Sequence, residues 1–505
     1  MFEAASCLLS AAEMRAIEVK EIASGRVTGA GLMEAAGEGV VQAVFERWPY
    51  LATRAGRATI LCGPGNNGGD GYVVARLLAQ RGWHCEVQAM GGAGSLPPDA
   101  RANRARWEAL GPVRRIGESG TDLAPACDIL VDALFGIGLA RPLDPALVPE
   151  RGAQGPCVVA VDLPSGICSD SGRVLGDRAV KADLTVTFHA PKLGHCLADG
   201  PAHCGELRVV DIGLASPPPQ DAAALVGRPD PGVLAKRPEA HKYGYGHALV
   251  LAGGVGKGGA ARMAARAALR AGAGLVTLAP TPGALQENAA RLDAVMLAPV
   301  DGPEVLTERL RDSRLNALCL GPGLGVERAE ALLSPALNAR RPVVLDADAL
   351  TALAKSDPDR LHPEVVLTPH GGEFARLFPD LAERLGRRAD RGPAYSRVNA
   401  VRDAAQRAGC CVLLKGADTV IAEPSGRAAV HAAAYGRAAP WLATAGAGDV
   451  LAGVITGLLA RGFTPWEAAT TGTWLHVEAA RAFGPGLIAE DLPDALSRVF
   501  RSLGL

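Results

Sequence analysis

The chain has 505 residues, more than one hydrophobic core accommodates, so two or three domains are expected. Apolar residues make up 48%, charged residues 21%, and the formal net charge is -1, which describes an ordinary globular protein and argues against nucleic-acid binding through bulk charge. No apolar run approaches the roughly 20 residues of a membrane helix, the start MFEAASCLLSAAEMR lacks the basic segment of a secretory signal, and the eleven scattered cysteines hold no C-x-x-C; a cytoplasmic protein that neither crosses a membrane nor carries disulfides is expected, with Cys62, Cys157, Cys319, Cys410 and Cys411 as buried free thiols.

In chain order, Ser10 and Glu13 form a capping box ahead of the helical MRAIEVKEIA. ATILCGPG reads as a strand ending in glycines, YVVARLLAQRG as a helix and HCEVQAM as a strand. CDILVDALFGIG, PCVVAVDLPSG, ADLTVTFHAP and GELRVVDIGL follow as further strands. Such nearly continuous apolar strands predict a largely parallel sheet covered on both faces. LASPPPQDAAALVGRPDPG, residues 214–232, cannot continue either kind of element and places a domain boundary near residue 220. Beyond it the alternation restarts with HALVLAGG, AARMAARAALRAGAG, LVTLAP, NALCLGPGLG, PVVLDADAL, EVVLTPHGGEF and CCVLLKGADTVIAEP, and TAGAGDVLAGVITGLLARG is a glycine-rich turn feeding a helix.

Parallel strands deliver their C-terminal ends to one edge, where α/β sheets bind ligands. In the first half that edge gathers three turns. GPGNNGGDG places Asn66, Asn67 and Asp70 among Gly63, Gly65 and Gly68, a G-x-G-x-x-G spacing. A plain dinucleotide fold also needs a carboxylate at the end of the second strand, and VQAMGG has none there. A tight strand-to-helix turn explains the glycines alone; two amides and an acid beside them point to a ligand at a helix start. VDALFGIGLARP sets Asp132 at a strand end before a flexible loop and Arg141, a residue of the kind that reaches phosphate. VDLPSG sets Asp162 and Ser165 in a similar turn, where an Asp is equally at home as a simple turn former. Lys192 follows another strand, with a solvated surface lysine as the plain alternative, and His195-Cys196 with His203-Cys204 offer four zinc ligands at a spacing looser than tetrahedral sites show.

GPGNNGGDG, VDALFGIGL and VDLPSG, in that order, resemble the NAD(P)HX epimerase family across the whole first half. The resemblance implies a Rossmann-like three-layer sandwich over residues 1–218 that interconverts the R and S forms of NADHX and NADPHX, hydrated reduced nicotinamide nucleotides. It implies substrate contacts from Asn66, Asn67, Gly68, Gly69 and Asp70, from Gly136, Ile137, Gly138, Leu139, Ala140, Arg141 and Pro142, and from Asp162. Asn67, Asp132 and Ser165 would ligate a potassium ion, as oxygen donors suit a hard cation. Asp162 is the candidate for proton transfer, with Lys192 as an acid partner or phosphate contact. On this reading the glycines permit close phosphate approach, and the nucleotide is substrate.

In the second half Gly446 and Gly448 permit tight turns before Asp449, at a helix start that favours phosphate. Phosphate repels an Asp there, so Asp449 reads either as a base aimed at a hydroxyl or as an N-cap. LAGGVGKGGA is not a P-loop, because Gly258 follows Lys257 where Ser or Thr is required. GAGDVLAG is similar to the ribokinase-like superfamily, and KYGYGHALVLAGG, LGPGLG, LDADAL, TPHGGEF and LKGADT together resemble the ADP/ATP-dependent NAD(P)HX dehydratase. That implies a ribokinase-like α/β domain over residues 219–505 that phosphorylates the hydrate hydroxyl from ADP or ATP, with magnesium, and expels phosphate to regenerate NAD(P)H. Ala260, Gly323, His370 and Asp449 would contact the hydrate; Lys415, Gly416, Ala417, Asp418, Thr419 and Gly448 would hold the nucleotide, with Asp449 as base. Gly371 stands where the family usually has proline, and GGVGKGGAAR is one residue short. His370 at a helix start, and Asp346 and Asp348 as turn formers, are the plain alternatives. The expectation is a fused, two-domain α/β repair enzyme acting on small molecules, a homo-oligomer. Its rivals are a small-alcohol kinase, a non-enzymatic first domain and a nicotinamide dehydrogenase.

Overall fold

A computed structural model describes residues 7–116, 123, 126–149, 155–356 and 361–505. The chain forms two compact units: residues up to Ala224 together with Arg387–Ser396, and Leu225–Gly386 together with Arg397–Leu505.

The first unit opens with α1 (Ala11–Ala23) and α2 (Gly29–Arg47). The expected capping box starts α1: the Ser10 hydroxyl accepts from the Glu13 amide at 3.2 Å, and the Glu13 carboxylate accepts from the Ser10 amide at 2.6 Å. Then come β1 (Arg57–Cys62), α3 (Asn66–Gln80), β2 (His84–Ala89), α4 (Pro98–Glu108), β3 (Val113–Arg115), β4 (Ile129–Ala133), β5 (Cys157–Val161), β6 (Leu184–Phe188) and β7 (Glu206–Val210). Their sheet runs β3-β2-β1-β4-β5-β6-β7, parallel throughout. β4, β5 and β6 are buried nearly end to end, which is why they read as apolar runs and not as alternating strands.

One expectation is corrected here. The stretch Asn66–Asp70 is the first turn of α3 and not a free loop. A methyl group on Gly68 would lie 2.1 Å from the Gly63 carbonyl oxygen, and one on Gly63 would lie 1.7 Å from the Leu134 carbonyl oxygen. Gly71 is similarly pressed against Ala133 and Cys62. These glycines let the helix start sit on the ends of β1 and β4; Gly65 alone of the motif has open space around it.

Residues Arg387–Ser396, distant in sequence, complete the first unit. Gly392 N–H donates to the Ala140 carbonyl at 3.1 Å, and Ala389 packs with Leu139, Cys168 and Leu175. The loop that carries Gly136–Gly138 is therefore held from behind. Ala389→Glu in the full chain would bury a carboxylate against those apolar groups; an accompanying loss of about 2–3 kcal/mol is expected, read as a lower melting temperature, with slower chemistry at the cavity described below.

The second unit contains β8 (His247–Leu251), α5 (Gly259–Arg270), β9 (Leu275–Ala279), β10 (Met296–Leu297), β11 (Leu315–Leu320), α6 (Val326–Asn338), β12 (Val343–Leu345), α7 (Ala347–Leu353), β13 (Val365–Leu367), α8 (Gly371–Leu377), β14 (Cys411–Leu414), β15 (Asp418–Ala422), β16 (Ala428–Ala432), α9 (Ala447–Ala460) and α10 (Pro465–Phe483). Its strands run β16-β15-β14-β13-β12-β11-β8-β9-β10. They are parallel from β14 to β10, and β14–β15–β16 are antiparallel. CCVLLKGADTVIAEP is thus a hairpin turning at Lys415–Ala417, where one strand candidate was expected. α9 packs on α5 at Gly453 and Gly457, where a methyl would approach the Ala264 and Ala268 carbonyls to 2.2 and 2.4 Å.

Among the described residues no helix is long and apolar enough to cross a membrane. None of the eleven cysteines forms a disulfide; Cys62, Cys319, Cys410 and Cys411 are buried and Cys157 is half-buried.

Candidate active sites

In the first unit a cavity of about 600 Å³ opens at the C-terminal edge of the sheet. Of the expected contacts it is lined by Asn66, Asn67, Asp70, Gly136, Ile137, Gly138 and Asp162, and Lys192 also faces it. Gly68 and Gly69 serve packing against Gly63 and Met33. Leu139 is a core residue, Pro142 packs against Gly176, and Ala140 and Arg141 are exposed. Sequence reading missed the wall supplied by α1, where Arg15 and Glu18 add a cation and a third acid. The amphipathic pattern of MRAIEVKEIA identified that helix but not where its polar face points.

Asp162 occupies a left-handed backbone conformation, φ 67°, uncommon outside glycine. Its Oδ2 accepts from the Ile137 amide at 2.9 Å and its Oδ1 from the Thr187 hydroxyl at 2.9 Å. Lys192 is 1% exposed. Its Nζ donates to Thr187 Oγ1 at 2.8 Å, Phe188 O at 3.1 Å and Ala190 O at 2.8 Å, and stands 3.3 Å from Asp162 Oδ1. It is therefore not a surface lysine, and its three hydrogens are already taken by protein acceptors. Burial pushes the Asp162 carboxyl up, but the Lys192 ammonium and the two hydrogen bonds outweigh it and hold it below the usual carboxylate range. Asp70 is the reverse case: enclosure raises it well above that range, and the charges of Asp162 and Glu18 add to the effect. The two carboxyls that share the cavity are thus driven in opposite directions, Asp162 towards its ionised form and Asp70 towards its neutral one.

Asp132 is fully buried, accepting from Ser165 Oγ at 2.6 Å and the Ser165 amide at 2.8 Å. Burial outweighs those bonds and pushes it up to about 6. Ser165 Oγ also accepts from the Phe135 amide at 2.9 Å, and Asn67 Nδ2 is buried with no hydrogen-bond partner. A methyl group on Gly136 would fall 3.0 Å from Asn67 Oδ1 and 2.5 Å from Asp162 Oδ2, so the loop passes tightly between them. The zinc arrangement does not form. His195 is engaged by Lys192 and Asp162, and His203 is half-buried, bonded to Asp199 O. Among the described residues no group of three His, Cys, Asp or Glu is gathered to hold a metal.

In the second unit the polar groups stand beyond the ends of β11 to β14. Lys415 Nζ pairs with Asp346 Oδ1 at 2.6 Å and lies 3.8 Å from Glu373 Oε2. Asp346, 1% exposed, is thus an ion-pair partner and not just a turn former, while Asp348 accepts from the Gly325 amide at 2.8 Å. A methyl on Gly448 would sit 3.3 Å from Lys415 Nζ, so the start of α9 approaches this pair. Gly446 caps α9 in the left-handed conformation, φ 91°, which makes Asp449 a first-turn residue and not the N-cap. Burial raises the Asp449 carboxyl to about 6; Asp346, Asp348 and Glu373 add to the rise and Lys415 opposes it. Gly323 and Ala260 adjoin, 3.2 Å apart at their β positions. His370 caps α8, its Nδ1 accepting from the Gly372 amide at 3.0 Å, while its ring remains largely exposed. In the hairpin turn, Gly416 and Ala417 are exposed, Asp418 pairs with Arg397 at 3.3 Å, and the Thr419 hydroxyl donates to Gly416 O at 2.7 Å.

Residues 29–194 match the family model described as YjeF-related protein N-terminus, and residues 248–500 match the model described as NAD(P)H-hydrate dehydratase. The chain is 37% identical over 496 residues to the bifunctional NAD(P)H-hydrate repair enzyme Nnr of Coxiella burnetii, covering 95% of this chain and 96% of that protein. It is 36% identical over 535 residues to the protein of the same name from Moorella thermoacetica, covering 98% and 97%. A solved structure of ADP/ATP-dependent NAD(P)H-hydrate dehydratase from Bacillus subtilis, co-crystallized with ATP/Mg2+, is 31% identical and covers 53% of this chain and 94% of that one, with a TM-score of 0.45. With both family models in order along one chain and relatives matched almost end to end, the chain belongs to the bifunctional NAD(P)H-hydrate repair enzyme family.

Proposed function

We propose that the chain repairs hydrated reduced nicotinamide nucleotides in two steps. The first unit interconverts R- and S-NAD(P)HX, and the second dehydrates S-NAD(P)HX to NAD(P)H with ADP or ATP as phosphate donor. The observation that carries this reading is the presence, in one chain, of a cavity lined by two carboxyls that their surroundings drive in opposite directions and of a separate half-buried acid at a helix start beside a lysine.

Inversion at the hydrated carbon breaks and remakes its C–O bond. Asp70, neutral, protonates the departing hydroxyl; the adjacent ring nitrogen supplies the electron pair; and Asp162 takes the proton of the water that adds on the other face. Asn66 and the Gly136–Gly138 backbone border the space in which the ring turns. In the second unit Asp449 takes the proton of the hydrate hydroxyl as it attacks the terminal phosphoryl group. The free amides at the start of α9 and Lys415 offset the charge on the phosphates. Magnesium enters as the counter-ion of the nucleotide co-substrate.

Potassium suits the first unit. Asp132 is a buried carboxylate whose partners are the neutral donors of Ser165 and Leu134, and Asn67 and Ser165 add neutral oxygens; this is hard-donor chemistry without another cation to satisfy it. The ion would neutralise Asp132 and brace the turn behind Gly136. Potassium is expected to raise the melting temperature more above pH 6, where Asp132 ionises, than at pH 5. Thermal scans in potassium and in choline salts check this, and Asp132→Asn should abolish the difference.

Incubation with chemically prepared R,S-NADHX tests the whole reading. Nucleotide should bring full recovery of NADH absorbance from both epimers, while its omission leaves only R/S equilibration. Running ADP and ATP separately identifies the donor. Phosphorylation of a hydroxymethyl-pyrimidine or a sugar, without NADH recovery, would favour a kinase instead.

A further inference from the structure

We propose that Thr187 is a positioning residue for epimerisation: it accepts a hydrogen bond from the buried Lys192 ammonium and donates one to Asp162, fixing the carboxylate that faces the cavity. The inference rests on the reading of the first unit as the epimerase with Asp162 as its proton acceptor.

Hydrogen counting gives the relay its direction. An ammonium has three hydrogens, and those of Lys192 go to Thr187 Oγ1, Phe188 O and Ala190 O. None remains for Asp162, so at 3.3 Å that pair is one of charge alone. The Thr187 hydroxyl, already accepting from Lys192, has one hydrogen, and it goes to Asp162 Oδ1. Oδ2 takes the Ile137 amide. Both carboxylate oxygens are pinned in one orientation. It follows that Lys192 is a fixed counter-charge and does not hand over a proton.

The backbone is held as firmly. His195 Nδ1 accepts from the Lys192 amide at 2.8 Å, so in the neutral ring the hydrogen is on Nε2, which donates to the Asp162 carbonyl at 2.8 Å. Burial keeps this ring neutral, pushing it down to about 4. The Asp162 amide donates to Val186 O at 2.7 Å. A left-handed aspartate persists only where its surroundings over-determine it, and here a strand and a histidine do so. Lys192 stands beside Asp162 and His195 holds its carbonyl, while Asp70, Glu18 and Arg15 share the cavity from α3 and α1.

Thr185 supplies the control. It lies two residues earlier on β6, is equally buried, and spends its hydroxyl on Cys204 O at 2.7 Å. In the full chain, Thr187→Val should lower kcat for R/S exchange about 10- to 100-fold and leave KM within about twofold. It should also move the acid limb of the pH profile upward, because a donor to the ionised form of Asp162 is lost. Thr187→Ser should restore both, Thr185→Val should change neither, and S-form dehydration should be the same in every preparation. Wild-type exchange in Thr187→Val, an equal loss in Thr185→Val, or no rescue by serine would overturn the relay. No exchange in the wild-type chain would overturn the epimerase reading and the relay with it.

Discussion

Asp162→Asn should reduce R-to-S exchange by on the order of 10²- to 10⁴-fold, while the same protein still dehydrates the S form at the wild-type rate. The reason is local. Asp162 is the cavity carboxyl that Lys192, Thr187 and Ile137 together hold below the usual carboxylate range despite burial, so it is suited to accept a proton at neutral pH. An asparagine keeps the shape and loses the basicity. It also leaves Lys192 buried without its counter-charge, at a cost of about 3–5 kcal/mol, so a lower melting temperature is expected alongside the lost exchange. Asp162→Asn combined with Lys192→Met removes both charges and separates the two effects: stability should recover and exchange should not. Separation of the epimers by chromatography after incubation of pure R-NADHX gives the rate. Exchange at the wild-type rate in the stable double variant would remove Asp162 from the chemistry.

The strands were legible because parallel sheets bury both faces, and ILVDA, CVVAV and LTVTF leave no other reading. The strand-end acids Asp132 and Asp162 were legible for the same reason, since a charged residue at the tip of an apolar run is conspicuous, and Asp449 was legible as the acid opening an apolar helix after glycines. What could not be read was which neighbours face them. Thr187 looks like any β-branched strand residue, and its role depends on a lysine five positions later folding back beneath it. His195 suggested a metal because a paired cysteine stood beside it, while its actual partners are the Lys192 amide and the Asp162 carbonyl. The glycines of GPGNNGGDG suggested room for phosphate, yet four of the motif's surroundings are filled by protein: Gly63, Gly68, Gly69 and Gly71 each press on a neighbour. A glycine pattern reports close approach, and the sequence alone does not say whether the approaching group is a ligand or another strand. The return of Arg387–Ser396 to the first unit has no local signature at all.

Asp449→Asn should abolish dehydration to a similar extent, on the order of 10²- to 10⁴-fold, with R/S exchange untouched. Asp449 stands in the first turn of α9 among Asp346, Asp348 and Glu373, with Lys415 the opposing charge. The base must be ionised to work, so wild-type kcat/KM for dehydration should rise with pH through about 6 and level off above it. The same shift makes a prediction about stability. The fold raises this carboxyl above its unfolded value, so ionisation is disfavoured in the native state. Wild type should therefore lose stability relative to Asp449→Asn as pH climbs from about 4 to about 6, with the difference constant beyond. Below both values each form is neutral and the two proteins should melt alike. A variant that is more stable at pH 8, no different at pH 3.5, and unable to recover NADH would mark Asp449 as a residue whose strain is retained for chemistry. Dehydration persisting in Asp449→Asn would require the proton to leave by another group, and Asp346, held by Lys415 at 2.6 Å, is poorly placed to accept it.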